Sequence, residues 1–194
     1  MRKKTKYLYQ LQYQPFMKIT ISGKAGAGKS TVAKLLAENL NLKHYSIGDL
    51  MRAMAYEKNI SLLELNKAAE TDKSIDFELD KKLKELGKAK NNFVVDGRLT
   101  AYFIPNAEVK VFLETDDQVR AERILKHKRQ QENGQDAKEI LSSIRKREES
   151  EKKRYKQYYG VDYSDKKLYN FVIDTTNLAP DEVVEKIVEF VGKT

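Results

Sequence analysis

Residues 19–36 read "ITISGKAGAGKSTVAKLL". An apolar stretch runs into a loop of glycines and alanines, then a lysine, a serine and an amphipathic run. From Gly23 the spacing is G-x-x-x-x-G-K-S. Gly23, Gly26 and Gly28 let the backbone turn tightly, so that the amides of the loop, those of Lys24, Ala25 and Ala27 included, can point inward at a phosphate. A helix N-terminus beside them adds positive dipole character. Lys29 is placed to reach the β and γ phosphates, and the Ser30 hydroxyl to ligate Mg²⁺. The loop follows a predicted strand and opens a predicted helix, as such a loop requires. A nucleoside triphosphate is therefore expected here.

Outward from the loop, "MKITIS" (17–22) alternates like a strand, and Val32, Leu35, Leu36 and Leu40 recur at helical spacing over 29–40. "NNFVVDG" predicts a strand ending near Asp96, "AEVKVFLE" one over 109–114, and "NFVID" a late strand over 170–174. Helices are predicted over 116–131 and 137–158. A last helix opens at Pro180, with Asp181 and Glu182 in its first turn, where the dipole favours acids. Strands alternating with helices imply a parallel sheet covered on both faces. From Leu42 to Asn92 the chain reads as helices throughout, a helical insert expected to hold the substrate side.

The chain has 194 residues, enough for one α/β domain with a proper core. It has no cysteine, which excludes disulfides and thiolate metal sites. No apolar run approaches the ~18 residues of a membrane span. The net charge is +8, to which Arg2, Lys3, Lys4 and Lys6 contribute before any acid appears. Residues 1–16 lack the apolar centre of a signal peptide and are expected to form a disordered, dispensable arm. The mildly basic remainder suits anionic substrates.

Three kinds of phosphate-loop protein then separate. A GTPase needs a guanine-reading N-K-x-D, but Asn66–Lys67 is followed by Ala68 and Ala69. A motor ATPase wants a glutamate after the strand-end aspartate, but Asp96 is followed by Gly97 and Arg98. A kinase of small molecules remains, and transfer between two polyanions needs arginine aimed at both. Arg52, Arg98, Arg123, Arg147 and Arg154 are the candidates. Arg98 lies just beyond a strand's carboxyl end, where open α/β sheets bind ligands. Arg147, Glu151 and Arg154 share one helix face, so Glu151 can hold both guanidiniums, unless the helix is only a solvated ladder of charge pairs. His44 and His127 lack metal-ligand spacing, and Tyr155, Tyr158, Tyr159 and Tyr163 read as packing.

The motifs "ISGKAGAGKST", "SIGDLMR", "IDFELD", "VVDGRLT", "VRAERI", "RKREESEKKRYKQYYGVDYSD" and "FVIDTTNLAPDEVV" resemble the nucleoside monophosphate kinases, most closely the short, archaeal-like cytidylate kinases. The resemblance covers 17–193. It implies a P-loop NTPase-type five-stranded parallel sheet flanked by helices, with core segments 17–42, 92–130 and 159–193. It also implies a monophosphate-binding insert over 43–91 and a lid with its helix over about 131–158. Gly26, Gly28, Lys29, Ser30 and Thr31 match the triphosphate loop, and Arg123, Thr175 and Thr176 the donor side. Arg52, with Asp49, and Arg98 match the acceptor phosphate site. Arg147 and Arg154 match lid arginines, with Glu151 as the acidic lid residue. Asp96 matches a carboxylate that holds Mg²⁺ through water.

One departure stands out. Leu99 follows Arg98 where bacterial cytidylate kinases carry a cytosine-reading aspartate. Base reading then falls to Asp76 or Asp80. The implied reaction is ATP + CMP ⇌ ADP + CDP, with dCMP as a second acceptor, in a cytoplasmic monomer without membrane or nucleic-acid partners. UMP or AMP as acceptor stays open, as does a nucleotide-gated nucleic-acid-binding factor using the basic tail.

Overall fold

The computed structural model describes residues 17–89, 92–126 and 137–193. Five strands form one parallel sheet: β1 (Lys18–Gly23), β2 (Lys43–Ser46), β3 (Phe93–Asp96), β4 (Val109–Glu114) and β5 (Phe171–Asp174), in the order β2-β3-β1-β4-β5. The helices are α1 (Lys29–Leu40), α2 (Ile47–Glu57), α3 (Leu62–Ala68), α4 (Lys73–Lys88), α5 (Thr100–Phe103), α6 (Asp117–Lys126), α7 (Ala137–Tyr159) and α8 (Pro180–Val191). A 3₁₀ turn spans Lys166–Leu168.

β1 is central and buried along its whole length. Ile19 and Ile21 face the core against Leu36 of α1 and Ile187 of α8. The alternate residues face the other side of the sheet, and they are buried too. There they find polar partners: Lys18 Nζ donates to the Gly87 carbonyl at 2.7 Å, and Ser22 Oγ lies 3.0 Å from Thr100 Oγ1. The alternation in "MKITIS" thus marks two buried faces of different chemistry, not one buried and one wet face.

β2 corrects the reading of 42–92 as helical throughout. Lys43–Ser46 pairs with β3 from Lys43↔Phe93 to Ser46↔Asp96, so the insert begins at Ile47 rather than at 43. "KHYS" is a short, half-exposed edge strand and carries almost no apolar signal. The insert, α2–α4, has its own small core of Met51, Met54, Leu62, Leu65, Ile75 and Leu79. Its helices begin on Ser46, Ser61 and Asp72, whose side chains accept backbone N–H groups at Asp49, Glu64 and Ser74. The helix expected over 116–131 is α6 as far as Lys126. Residues 1–16, His127 and the first part of the expected lid lie outside the described residues. Among the described residues, no helix is long and apolar enough to cross a membrane.

Candidate active site

The loop between β1 and α1 closes on itself through positive-φ glycines. Gly26 has φ 77°, and a Cβ there would lie 2.6 Å from the Arg120 carbonyl oxygen, so both conformation and space demand glycine. α1 then starts from Gly28, at φ 87°, with no side-chain cap and no acid in its first turn. Its first amides are left to an anion, in contrast to the side-chain caps that open the insert helices.

Parallel pairing brings β3 beside this loop. Ile21 pairs with Asp96, so the carboxyl end of β3 delivers Asp96 and Arg98 to the glycine turn. Ser30 Oγ donates to Asp96 Oδ2 at 2.9 Å. Ser46 Oγ reaches the same oxygen at 3.3 Å, and His44 Nε2 lies 2.8 Å from Oδ1. His44, which has no metal-ligand spacing in the sequence, is thus the orienting partner of the strand-end carboxylate. Its position on an unrecognised strand hid this.

Lys29 Nζ donates to the Lys24 carbonyl at 2.8 Å. Burial pushes its ammonium well below the usual lysine range, and the Arg98 charge adds to the shift. Arg98 is buried and held on two sides: Nη1 donates to the Gly23 carbonyl at 2.8 Å and Nε to Glu151 Oε2 at 2.7 Å. Its Nη2 has no hydrogen-bond partner among the described residues. A buried guanidinium nitrogen without a partner is costly, and an incoming phosphate oxygen would satisfy it.

Arg147 Nε donates to the other oxygen of Glu151 at 3.0 Å. Burial alone would raise the Glu151 carboxyl, but Arg98 and then Arg147 hold it down at about 2. Here the expected pairing is corrected: Glu151 holds Arg98 and Arg147, not Arg147 and Arg154. Arg154 Nε instead donates to Asp76 Oδ2 at 2.9 Å and Nη1 to the Asn66 carbonyl at 2.7 Å. Arg154 is 1% exposed, so a solvated charge ladder is excluded on this face. Arg154 fastens α7 to the insert.

Two cavities meet at the loop. Both are lined by Gly26, Lys29 and Ser30. The first continues over Arg52, Arg98, Arg147, Asp76, Asp80 and Leu99, between the sheet and the insert. Arg52 pairs with Asp49 in it. The second continues over Thr31, Arg123, Thr175, Leu178 and Pro180, between α1, α6 and α8. Arg123 Nη2 donates to the Thr175 carbonyl at 2.6 Å and Nη1 to its hydroxyl at 3.2 Å, which fixes the guanidinium at this mouth. Thr176 does other work: its hydroxyl accepts the Asp116 N–H at 3.0 Å and ties the β5 loop to the start of α6.

Sequence reasoning missed Arg120. It is 0% exposed, and its Nη1 donates to the Ala25 carbonyl at 2.9 Å and to Glu148 Oε1 at 2.6 Å. The same Glu148 oxygen accepts the Ala25 N–H at 3.2 Å. Arg120 and Glu148 therefore grip one stretch of the phosphate loop through both kinds of backbone group. The usable signal was helical spacing, which puts Arg120 on the buried face with Ile124.

A triphosphate loop and a second, arginine-lined cavity sharing its floor define a phosphotransferase of the P-loop kind. Solved structures agree on the fold. A shikimate kinase from Acinetobacter baumannii superposes with TM-score 0.61 at 16% identity, covering 95% of this chain and 96% of that one. The chain belongs to the cytidylate kinase-like family, whose model matches residues 18–177. The cytidylate kinase of Archaeoglobus fulgidus is 39% identical over 90% of this chain and 94% of its own. That of Sulfurisphaera tokodaii is 40% identical over 89% and 93%.

Proposed function

We propose that the protein transfers the γ-phosphoryl group of ATP to CMP, and to dCMP, yielding ADP and the cytidine diphosphate. The observation that carries this is the shared floor of the two cavities at Gly26, Lys29 and Ser30. A donor triphosphate in the Arg123–Thr175 cavity and an acceptor monophosphate in the Arg98–Arg147 cavity would meet there, with an acceptor phosphate oxygen facing the γ-phosphorus and ADP as the leaving group.

No general base is required. The acceptor phosphate has a second pKa near ~6 and arrives mostly as a dianion at neutral pH. The chain's own work is positioning and charge neutralisation. Arg98, pinned by Gly23 and Glu151, aims its unpartnered nitrogen at the acceptor phosphate. Lys29 leaves the Lys24 carbonyl for the donor phosphates. Arg147 is held by Glu151 at the same junction, and Arg154 keeps α7 and the insert in register. Ser30 and Asp96, one hydroxyl and one carboxylate in contact, fit a hard cation that takes its other ligands from water and phosphate. They would hold Mg²⁺, which when bound neutralises charge on the phosphates. A cytoplasmic setting belongs to the same reading.

ADP formation measured against CMP, dCMP, UMP and AMP tests the proposal. CMP and dCMP should give the highest kcat/KM. Turnover stimulated by RNA and by no monophosphate would overturn it.

A further inference from the structure

The acceptor cavity is not lined by arginines alone. Part of its wall is apolar, with Met51, Leu79, Leu83 and Leu99. Two carboxyl groups interrupt it, Asp76 and Asp80, one helical turn apart on α4 and both buried. Carboxylates repel phosphate, so the wall beside them suits some other part of the ligand.

The two are not equivalent. Asp76 is committed: Arg154 donates to both of its oxygens, at 2.9 and 3.4 Å. Asp80 accepts the Tyr159 hydroxyl on Oδ2 alone. Its Oδ1 has no hydrogen-bond partner among the described residues. An acceptor that a bound ligand shuts off from water without supplying a donor lowers the affinity of that ligand. The ligand part that packs here should be flat, largely apolar on its faces, and should present an N–H.

A cytosine ring does so with its 4-amino group. Uracil presents a carbonyl oxygen at the same position, lone pair against lone pair. We propose that Asp80 is the residue that selects an amino-bearing pyrimidine over a keto-bearing one, with Asp76 and Arg154 fixing the helix that carries it. The proposal rests on the acceptor assignment made above. Burial pushes the Asp80 carboxyl up to about 6, so at neutral pH it is mainly ionised and can only accept.

The experiment needs no folded variant to begin. The native protein is given CMP, UMP and a CMP analogue with hydrogen in place of the 4-amino group. The analogue should lose about 10–100-fold in kcat/KM relative to CMP, with the KM for ATP unchanged. Asp80→Asn, which can donate to the uracil oxygen, should raise the UMP:CMP ratio of kcat/KM by a similar factor. Tyr159→Phe, which leaves the carboxylate in place, should keep the native ratio. Binding of CMP and UMP to each protein, followed by calorimetry, should move in parallel. Equal use of CMP and the analogue by the native protein would overturn the proposal. So would an unchanged UMP:CMP ratio in a folded Asp80→Asn with normal ATP binding. If the native protein phosphorylates no pyrimidine monophosphate at all, the acceptor assignment itself falls, and that outcome is distinct from the other two.

Discussion

Two carboxyl groups in one cavity are driven in opposite directions by their neighbours. Glu151 sits between two guanidiniums and is held at about 2; Asp80 has a hydroxyl and apolar walls and rises to about 6. The stability consequences have opposite signs. The Glu151 contribution is present above its ordinary 4.5 and fades as pH falls toward 2. The native protein should therefore exceed Glu151→Gln by about 3 kcal/mol near neutrality, a gap that narrows in acid. Ionised Asp80 opposes folding. Asp80→Asn should be more stable than native by roughly 1–2 kcal/mol above pH ~6, after allowance for solvent screening, with the gain gone below pH ~4. Thermal unfolding of the three proteins across that range checks both signs. That Lys29, Ser30, Arg98 and Glu151 line one cavity was legible in the sequence, because motif and helical spacing announce them. That Arg98 shares Glu151 with Arg147 was not, since Arg98 and Glu151 lie 53 residues apart and only the fold brings α7 to the end of β3.

Among the elements, α7 joins the separate parts of the site. Its outer face is lysine-rich and exposed, as the sequence suggested. Its inner face carries Glu148, Glu151, Arg154 and Tyr155, all buried. Glu148 touches the phosphate loop, Glu151 the end of β3, and Arg154 the insert. Buried charges of this kind are costly to break singly. Glu148→Gln should loosen the loop and raise the KM for ATP about tenfold, with the KM for CMP little changed, because its contacts lie on the donor side. Lys152→Ala, on the exposed face, should leave both constants alone. Steady-state kinetics in both substrates separates the cases. Of the remaining elements, β1, β3, β4, β5 and the long helices were readable from periodicity. β2 and α5 were not: "KHYS" is mostly polar and half-exposed and is made regular by pairing with β3, and α5 is a single turn, too short to show a helical period.

At the scale of the molecule, the carboxyl end of one sheet holds two cavities on a common floor. A single compound linking adenosine and cytidine through a polyphosphate chain should occupy both at once. It should compete with ATP and with CMP, and bind one per protein with a Kd well below that of either nucleotide. Calorimetric stoichiometry and two inhibition patterns check this. Competition with ATP alone would mean the cavities do not communicate through Gly26, Lys29 and Ser30.

α7, anchored at Ala25 on one side and at Asn66 and Asp76 on the other, is gripped by both halves of the site. A rod held at two ends makes the two occupancies thermodynamically linked. Any shift of α7 that ATP favours changes the affinity for CMP by some factor, and CMP must change the affinity for ATP by that same factor. Titrations of each nucleotide in the absence and presence of a non-reactive analogue of the other will therefore give one coupling constant, read twice.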